Sequence, residues 1–444
     1  MNIIESTESL ISVEFDNSII IPIYCNDIQH PTQNDLSILI FITNWKSPTR
    51  EKLDGTKHTT YIIPINHPEA TWSADLDAIK EKLTNKTLYT VDKKSLMYFF
   101  DCNLIDINML EWMCHGSTLD LEPYTTPAHD FISSRFWNRA DTNQIIPITK
   151  HLERVDKIRP ELIRAAVHPH IVQQDYFKIY NDIVIPMLHE IEKQGLYTKN
   201  GYEYTQYNPY TTTGRPSNRF GGTNYAALNK EDGSRQRFIS RFDGGKLIEM
   251  DFDAYHIRLI ADVLGYSLPK GSVHEYLGKQ YFGKNKLTKK EYNQSKEITF
   301  RILYGGVPKE FMEIKFFAKV DKFIKKLWHE YKEKKYILTY LFNRPMYSRN
   351  LSDMNPQKLF NYFIQSLETE SNISILAEIY KVVQNYRSKL VLYTYDSFLF
   401  DFDSQDEQIF IKDVINAIRF PVKVKHGYNY NDMSEVLYEF EKHH

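Results

Sequence analysis

The chain has 444 residues, more than one hydrophobic core usually serves, so we expect two or three domains. It has the composition of a globular protein and a net charge of −2, so a nucleic-acid partner would need a local basic surface. The three cysteines, Cys25, Cys102 and Cys114, form no CxxC pair, which argues against both a zinc ribbon and a disulfide framework.

The N-terminus, MNIIESTESL, is acidic and lacks the apolar core of a secretory signal. No apolar run approaches the length of a membrane span. We therefore expect a cytoplasmic, reducing setting and no membrane partner.

The first elements are short runs of β-branched and aromatic residues within residues 10–66, such as LSILIFITNW, which predict strands. Helix-like and strand-like stretches alternate over residues 74–114, which indicates an α/β or α+β domain. Periodicity is lost over residues 120–165, so we place a domain boundary there, at about residue 150. The prolines of this stretch are Pro123, Pro127, Pro147 and Pro160.

The segment QQDYFKIYNDIVIPMLHEIEKQGLYT has apolar residues at helical spacing, with Gly195 as its stop. After the loop YNPYTTTGRPSNRFGGTNY, residues 246–253 (KLIEMDFD) predict a strand ending in acids. Residues 266–340 and 356–386 are helical in pattern, and the first of these stretches is rich in lysine. LVLYTYDSFLFDFD then predicts two strands around a tight turn.

Two of these strands present a carboxylate where they end. Asp251 lies at the end of an apolar strand and Asp396 at the turn of the hairpin. Such acids lie at a sheet surface and can project into a cleft, where two carboxylates can share two Mg²⁺ ions about 3.5–4 Å apart. The alternative is that both are solvated turn acids, because Asp is common in turns.

A second pattern lies in SKEITFRILYGG. Lys296, Phe300 and Tyr304 are spaced i, i+4, i+8, so all three lie along one helix face. A cation, an aromatic ring and a phenol in one stripe suit a nucleotide. The alternative is an amphipathic helix whose aromatic residues belong to the core.

In chain order, TTTGRPSNRF, KLIEMDFDAYHIRLIADVLG, KEITFRILYGG, NYFIQ and LYTYDSF resemble the motifs of family A DNA polymerases, the bacterial DNA polymerase I type, which includes phage replicases. The resemblance covers roughly residues 175–440. It implies an α+β right-hand fold of palm, fingers and thumb, preceded by an RNase H-like 3′–5′ exonuclease-type α/β domain. It also implies a DNA-directed DNA polymerase, encoded by a phage or virus and working in the host cytoplasm.

The resemblance also implies the cofactors, partners and site residues. The cofactor would be two Mg²⁺ ions, with Mn²⁺ as the substitute. The partners would be primer-template DNA, deoxynucleoside triphosphates and a processivity factor or replisome protein. The residues implied to hold the metals are Asp251, Asp396 and the backbone carbonyl of Phe252. Those implied to bind the nucleotide are Lys296, which also serves catalysis, Phe300, Tyr304 and His256. Those implied to contact primer and template are Arg215, Asn224, Asn361 and Gln365.

The chain departs from the family at sites that bear on sugar selection. His256 stands where the family has a Glu that excludes the ribose 2′-hydroxyl, although a histidine is still bulky enough to act as a gate. The family's His-Asp-Glu reads Tyr395, Asp396 and Ser397, and an Asp-Ser pair is also found in single-subunit RNA polymerases. An RNA polymerase or primer-synthesising enzyme is therefore one alternative. An inactive polymerase-like nucleic-acid-binding module is the other.

Basic residues cluster where a nucleic-acid partner would lie. Tyr292 replaces an arginine that in the family grips phosphate, and Lys289 or Lys290 would substitute for it. Such clusters can neutralise backbone phosphates, although a solvated helix face explains many of the lysines equally well. The residues are Lys270, Lys279, Lys284, Lys286, Lys289, Lys290, Lys309, Lys315, Lys319, Lys322, Lys325 and Lys326, with Arg215, Arg219, Arg235, Arg237 and Arg241.

The domain organisation follows from the same resemblance. Residues 1–150 form the exonuclease-like domain and residues 151–444 the polymerase domain. The polymerase domain divides into a thumb at about 151–195, a palm at about 196–265 and 345–444, and fingers at about 266–344. The family has a long helical hairpin before TxTGR, which a short segment replaces here, so we expect a reduced thumb and low processivity.

The exonuclease-like domain is predicted to be degenerate. A working exonuclease needs several carboxylates around two metals. Asp16 is followed by Asn17 and Ser18 where a second acid is expected, and Ser95 falls where the middle motif needs Asp. Asp106 is the remaining candidate.

Overall fold

The computed structural model describes residues 2–26, 29–45, 58–121, 146–269, 271–418 and 420–437. Pro123, Pro127 and Lys270 lie outside these ranges. The chain forms two compact units, an N-terminal unit (Met1–His189) and a C-terminal unit (Glu190–His444). The boundary predicted at residue 150 falls inside the first unit and stays a prediction.

The N-terminal unit combines one mixed sheet with short helices. Its strands are β1 (Asn2–Ile3), β2 (Ile19–Tyr24), β3 (Leu36–Thr43), β4 (Thr59–Pro64), β5 (Thr87–Thr90) and β6 (Asn103–Asp106). Its helices are α1 (Thr7–Ser12), α2 (Leu76–Leu83), α3 (Lys93–Leu96), α4 (Ile107–His115), α5 (Ile148–Ala166), α6 (Pro169–Val172) and α7 (Asp175–Ile179). A π-helical turn (Tyr180–Val184) leads into α8 (Ile185–Gln194), which continues into the second unit.

The strand order of this sheet is β1-β4-β3-β2-β5-β6. Strands β2, β3 and β4 are antiparallel neighbours, whereas β5 and β6 run parallel to β2. Every residue of β2 and β3 is buried, because elements cover both faces of the sheet and the strands are accordingly near-continuous apolar runs. The strands predicted in residues 10–66 are confirmed where the structure describes them.

The expected loss of regular structure over residues 120–165 is wrong for its second half. There α5 forms a 19-residue helix with Pro160 in its interior. Val155, Ile158 and Leu162 are buried on one side of it. An interior proline removes one backbone hydrogen bond, but burial of this apolar stripe outweighs that loss.

The C-terminal unit contains the larger helices and a second sheet. Its strands are β7 (Leu196–Thr198), β8 (Gly201–Glu203), β9 (Tyr207–Asn208), β10 (Ser217–Phe220), β11 (Thr223–Asn224), β12 (Lys246–Phe252), β13 (Tyr336–Leu338), β14 (Pro345–Tyr347), β15 (Lys389–Thr394), β16 (Ser397–Phe402), β17 (Val422–Gly427) and β18 (Ser434–Val436). Its helices are α9 (Tyr255–Val263), α10 (Val273–Phe282), α11 (Lys289–Gly305), α12 (Lys315–Lys334), α13 (Pro356–Val383) and α14 (Glu407–Ala417).

The main sheet of this unit is antiparallel, with the order β15-β16-β12-β17-β18. Its central strand, β12, buries Leu247, Ile248, Met250 and Phe252, with the part-exposed Asp251 between the last two. The predicted strand at residues 246–253 and the predicted hairpin of β15 and β16 are therefore confirmed. Three smaller sheets, β9-β10-β11, β13-β14 and β7-β8, complete the unit.

The helices of this unit begin and pack as their sequences dictate. Helix α11 starts with a capping box, in which Thr288 accepts from the Glu291 N–H and the Glu291 side chain accepts from the Thr288 N–H. Helices α10 and α11 approach closely at Gly278, where a Cβ atom would lie 2.8 Å from the Ser295 Cβ. The 28-residue α13 contacts α9, α11, α12 and α14. Among the described residues, no helix combines the length and apolar character needed to cross a membrane.

Candidate active site

Asp251 and Asp396 are neighbours where β12 ends and β16 begins, at one end of the strands of the main sheet. In the antiparallel pair of β12 and β16, Asp251 is opposite Ser397, the residue after Asp396. The Phe252 N–H donates a hydrogen bond of 3.0 Å to the Asp396 carbonyl. The structure therefore brings together two carboxylates that are 145 positions apart in the sequence.

The turn that carries Asp396 is held from two sides. Tyr395 has a φ of 45°, a left-handed conformation that is unfavourable for a bulky residue. The Arg215 guanidinium lies 3.6 Å from the centre of the Tyr395 ring, and the Asn372 amide donates to the Tyr395 carbonyl. These contacts fix the backbone that positions Asp396.

The surroundings of Asp396 favour a bound cation. The Asp396 side chain is exposed, but desolvation of its carboxylate by neighbouring groups, followed by the negative charges of Asp251 and Glu368, raises its pKa, while the charge of Arg215 acts in the opposite direction. Asp396 is exposed and the Asp251 side chain is 35% exposed, so both carboxylates can be reached from solvent. Carboxylates that repel one another are stabilised when a cation lies between them. The two carboxylates are therefore electrostatically coupled neighbours, and their role as metal ligands stays a prediction.

A lysine on the neighbouring strand also contacts this end of the sheet. The Lys425 Nζ lies 3.1 Å from the Asp251 carboxylate and 2.9 Å from that of Glu249. Burial opposes the charge on Lys425, but the hydrogen bonds and negative charges of Glu249 and Asp251 together outweigh burial and raise its pKa. Lys423, two residues earlier, lies 3.6 Å from Asp253. Sequence reasoning missed both lysines, although alternating acids in EMDFD and lysines in VKVKHG were the available signal.

His256 lies between a tyrosine and a buried carboxylate. Its Nδ1 is hydrogen-bonded to the Tyr304 hydroxyl, and its Nε2 lies 3.0 Å from Glu368 Oε1. Glu368 is only 2% exposed, and its other oxygen lies 3.2 Å from Arg215 Nε. Burial, and then the charge of Glu368, raises the pKa of Tyr304 to about 12, so its hydroxyl keeps its proton at neutral pH. His256, the predicted gate residue, is thus flanked by the side chains of Tyr304 and Glu368.

The predicted stripe on α11 is present on one face. The Phe300 and Tyr304 rings are nearly parallel, with centroids 6.0 Å apart, and Lys296 Nζ lies 4.7 Å from the Tyr292 ring centre. Phe300 is 40% exposed and so does not belong to the core. The core-facing residues of the helix are Ser295, Thr299, Ile302 and Leu303.

A stripe of polar residues runs along α13, spaced i, i+4, i+7, i+11 and hence on one face. Its members are Asn361, Gln365, Glu368 and Asn372. Asn361 donates to the Tyr304 carbonyl over 3.4 Å, and Gln365 accepts from the Thr213 hydroxyl over 3.5 Å. Sequence reasoning identified the first two members and missed the last two, which the spacing of polar residues in an apolar helix could have indicated.

Other predicted residues have different surroundings. Asn224 lies on β11, opposite Arg219 of β10, in the three-stranded sheet. Lys289 and Lys290 occupy the first turn of α11. Tyr292, which stands in place of the family's arginine, accepts from the Ser272 hydroxyl over 3.4 Å. The roles implied for these residues stay predictions.

His274 on α10 is a residue that sequence reasoning missed. Its ring centre lies 5.6 Å from that of Phe300, on the stripe of α11. Burial, followed by the charge of Lys296, lowers the pKa of His274 to about 4, and Lys423 and Arg258 act in the same direction against Asp253. No motif marked this lone histidine.

This burial predicts how stability depends on pH. The unfolded chain protonates His274 below about pH 6.5 and the folded chain only below about pH 4, so the unfolded state binds more protons between these values. We expect His274 to lower the free energy of unfolding by roughly 3 kcal/mol as the pH falls through this window. Urea unfolding over this range measures the slope. His274→Gln should flatten it, whereas the exposed-site control His329→Gln should not; equal slopes in all three proteins would contradict the expectation.

Comparison with known proteins places the fold. The chain is similar to the POL domain of Pol1 from M. smegmatis in complex with DNA primer-template and dNTP, with a TM-score of 0.61 and 12% sequence identity. The match covers 98% of this chain and 100% of that one. No protein-family model and no curated protein matches the sequence. The chain therefore has a mixed α+β fold that resembles a DNA polymerase domain.

Proposed function

We propose that the chain is a DNA-directed DNA polymerase that adds deoxynucleotides to a primer 3′ end. The observation that carries this proposal is the pair of Asp251 on β12 and Asp396 in the turn before β16, together with the exposed stripe of α11, whose Tyr304 is hydrogen-bonded to His256. A solved structure of similar fold was determined with DNA primer-template and dNTP, which supports the same class of substrate here.

Two Mg²⁺ ions are the proposed cofactor, with Mn²⁺ as a substitute. Asp251, Asp396 and the Phe252 carbonyl would hold them, and the raised pKa of Asp396 beside Asp251 fits a site completed by cations. When bound, the metals would activate the attacking hydroxyl and neutralise charge on the triphosphate. In the reaction, the primer 3′-oxygen attacks the α-phosphate, the hydroxyl proton is lost to solvent, and pyrophosphate leaves.

The chain's own residues would position the substrates. Lys296 would pair with the triphosphate, and Phe300 would stack on the sugar and base from its exposed place on α11. His256 and Tyr304 would border the sugar. The primer and template contacts proposed are Arg215, Asn224, Asn361 and Gln365. The division into subdomains is part of this proposal. It assigns the palm to residues 196–265 and 345–444, the fingers to residues 266–344 and the reduced thumb to residues 151–195.

Primer extension on a primed DNA template with Mg²⁺ tests the proposal, with dNTPs and NTPs supplied separately. We expect extension with dNTPs. Extension with NTPs instead would favour an RNA polymerase or primer-synthesising enzyme. This alternative is considered because His256 and Ser397 depart from the residues of family A DNA polymerases. Tight primer-template binding without extension would favour an inactive binding module.

We propose that the N-terminal unit is an RNase H-like, exonuclease-type domain without catalytic activity. Its strand order, with three antiparallel strands followed by two parallel ones, supports the fold. Asp16 accepts from the Thr87 N–H, and buried Asp106 accepts from the N–H groups of Met109 and Lys93. Backbone donors thus occupy both candidate carboxylates. Ser95 lies in α3, where its N–H donates a hydrogen bond to the side chain of the N-cap residue Asp92.

We therefore expect no metal-dependent loss of the primer 3′ end when the chain is incubated with Mg²⁺ and labelled primer-template without dNTPs. The reason is that Asn17, Ser18 and Ser95 stand where further metal-binding carboxylates would be needed, so Asp16 and Asp106 alone are too few. Asp16→Ala serves as the matched variant and should behave like the unaltered chain. Shortening of the primer that Asp16→Ala abolishes would show an active exonuclease.

Low processivity is the outcome expected from a reduced thumb. A smaller thumb contacts less of the duplex, so DNA binding depends mainly on phosphate contacts. These contacts weaken steeply as the salt concentration increases. Under conditions in which each primer meets the enzyme once, products should be short and should shorten further as salt is raised. Long products whose length is insensitive to salt would refute the reduced thumb.

A further inference from the structure

The N-terminal unit contains a cluster of cysteine, histidine and glutamate side chains, which are common metal ligands, and this cluster is distant in sequence from Asp251. One possible ligand atom from each of Cys114, His168 and His170 lies within 4.8 Å of the other two. Glu111, His115 and His168 form a second such group, which shares His168 with the first. Among the described residues these groups define a single location, between the end of α4 and the start of α6.

The inner part of this cluster has an unsatisfied polar atom. His168 Nε2 is buried and has no hydrogen-bond partner among the described residues. This ring nitrogen is therefore available to bind a ligand. The rings of His115 and His170 lie edge-on to His168, with centroids 6.3 Å and 5.8 Å away. Cys114 is buried and forms no disulfide.

The electrostatics of the location also favour a cation. Cys114 lies in the last turn of α4, where the helix dipole places partial negative charge. Glu111 is one turn earlier, but Arg164 lies 2.9 Å from its carboxylate. That pairing engages Oε1 of Glu111, whereas Oε2 is buried without a hydrogen-bond partner among the described residues, so Glu111 adds negative charge beside the site.

We propose that Cys114, His168 and His170 bind a zinc ion, with the fourth position left to water. One thiolate and two imidazoles form a ligand set that suits Zn²⁺, whereas Mg²⁺ prefers oxygen ligands. The site is therefore chemically distinct from the carboxylate pair of the C-terminal unit. It is not a zinc ribbon, because its ligands come from separate parts of the chain.

The zinc ion would join the C-terminal end of α4 to α6. Because the unfolded chain does not hold these ligands together, the free energy of metal binding adds to the free energy of folding of this unit. Removal of zinc should therefore lower the thermal stability of the N-terminal unit. The proposal does not depend on polymerase activity, so it can succeed or fail separately.

The test uses the full chain, purified with added zinc and dialysed without chelator. We expect about one zinc per chain by elemental analysis, and on cobalt substitution a thiolate-to-metal charge-transfer band. His170→Ala is the main variant because His170 is exposed and its loss should not unfold the chain. It should weaken zinc binding by about 100-fold or more. Cys114→Ser should abolish the charge-transfer band. The control Cys102→Ser should retain both zinc binding and the charge-transfer band.

A chelator should lower the melting temperature of the unaltered chain but leave that of His170→Ala unchanged. The proposal is overturned if the purified chain retains no zinc and gives no thiolate band with cobalt. It is also overturned if His170→Ala and Cys114→Ser bind zinc as tightly as the unaltered chain does.

Discussion

Replacing Asp251 or Asp396 with asparagine is expected to reduce primer extension by on the order of 10³-fold or more, with little change in primer-template affinity. Asparagine keeps the shape of aspartate but removes the negative charge that would hold the metal ions. Both side chains lie where β12 ends and β16 begins, so loss of either should be comparably severe. Single-turnover extension with Mg²⁺ measures the effect, and DNA binding is measured in parallel.

The control for this pair is Asp243→Asn. Asp243 is an exposed acid in a turn of the same unit, so it represents the solvated turn acid that Asp251 and Asp396 would be under the alternative. We expect Asp243→Asn to extend primers normally. If Asp251→Asn and Asp396→Asn also extend normally while remaining folded, the carboxylate pair is not the catalytic centre.

The second large effect is expected in sugar selection. His256→Ala should lower the preference for dNTPs over NTPs by on the order of 10–100-fold, because it removes the bulk next to the sugar. The preference is measured as the ratio of kcat/KM values for the two nucleotides on the same template. An unchanged ratio would mean that His256 only packs beneath the nucleotide site.

Glu368 is expected to act through His256 as a positioning residue. Glu368 Oε1 lies 3.0 Å from His256 Nε2, and its other oxygen lies 3.2 Å from Arg215 Nε, so this buried carboxylate borders both side chains. Glu368→Gln disturbs this contact and the pairing with Arg215, and should lower the dNTP preference by about 5–30-fold.

The chain offers a close control for this variant in Glu370→Gln. Glu370 is also buried in α13, but its carboxylate accepts from the N–H groups of Leu341 and Phe342. Both substitutions remove a buried charge, and both should lower stability. Only Glu368→Gln should change the sugar preference; equal effects of the two variants on that ratio would reduce Glu368 to a structural role.

The sequence by itself determined the local elements around the candidate site. The apolar run before Asp251, the hairpin around Asp396 and the helical spacing of Lys296, Phe300 and Tyr304 are all confirmed as elements of the structure. These features depend on side-chain period and turn chemistry over a few residues, which a sequence displays directly. The order of the motifs also led to a fold that the structural comparison supports.

Only the tertiary structure decided which distant side chains meet. Glu368 becomes a partner of His256 because α13 lies against this site, and Lys425 reaches Asp251 because β17 pairs with β12. Cys114 and His168 are brought together by the contact of α4 with α6. Such contacts are set by strand register and helix packing over long sequence separations, so no local pattern encodes them. The same reason explains α5, where tertiary burial outweighs the local cost of Pro160.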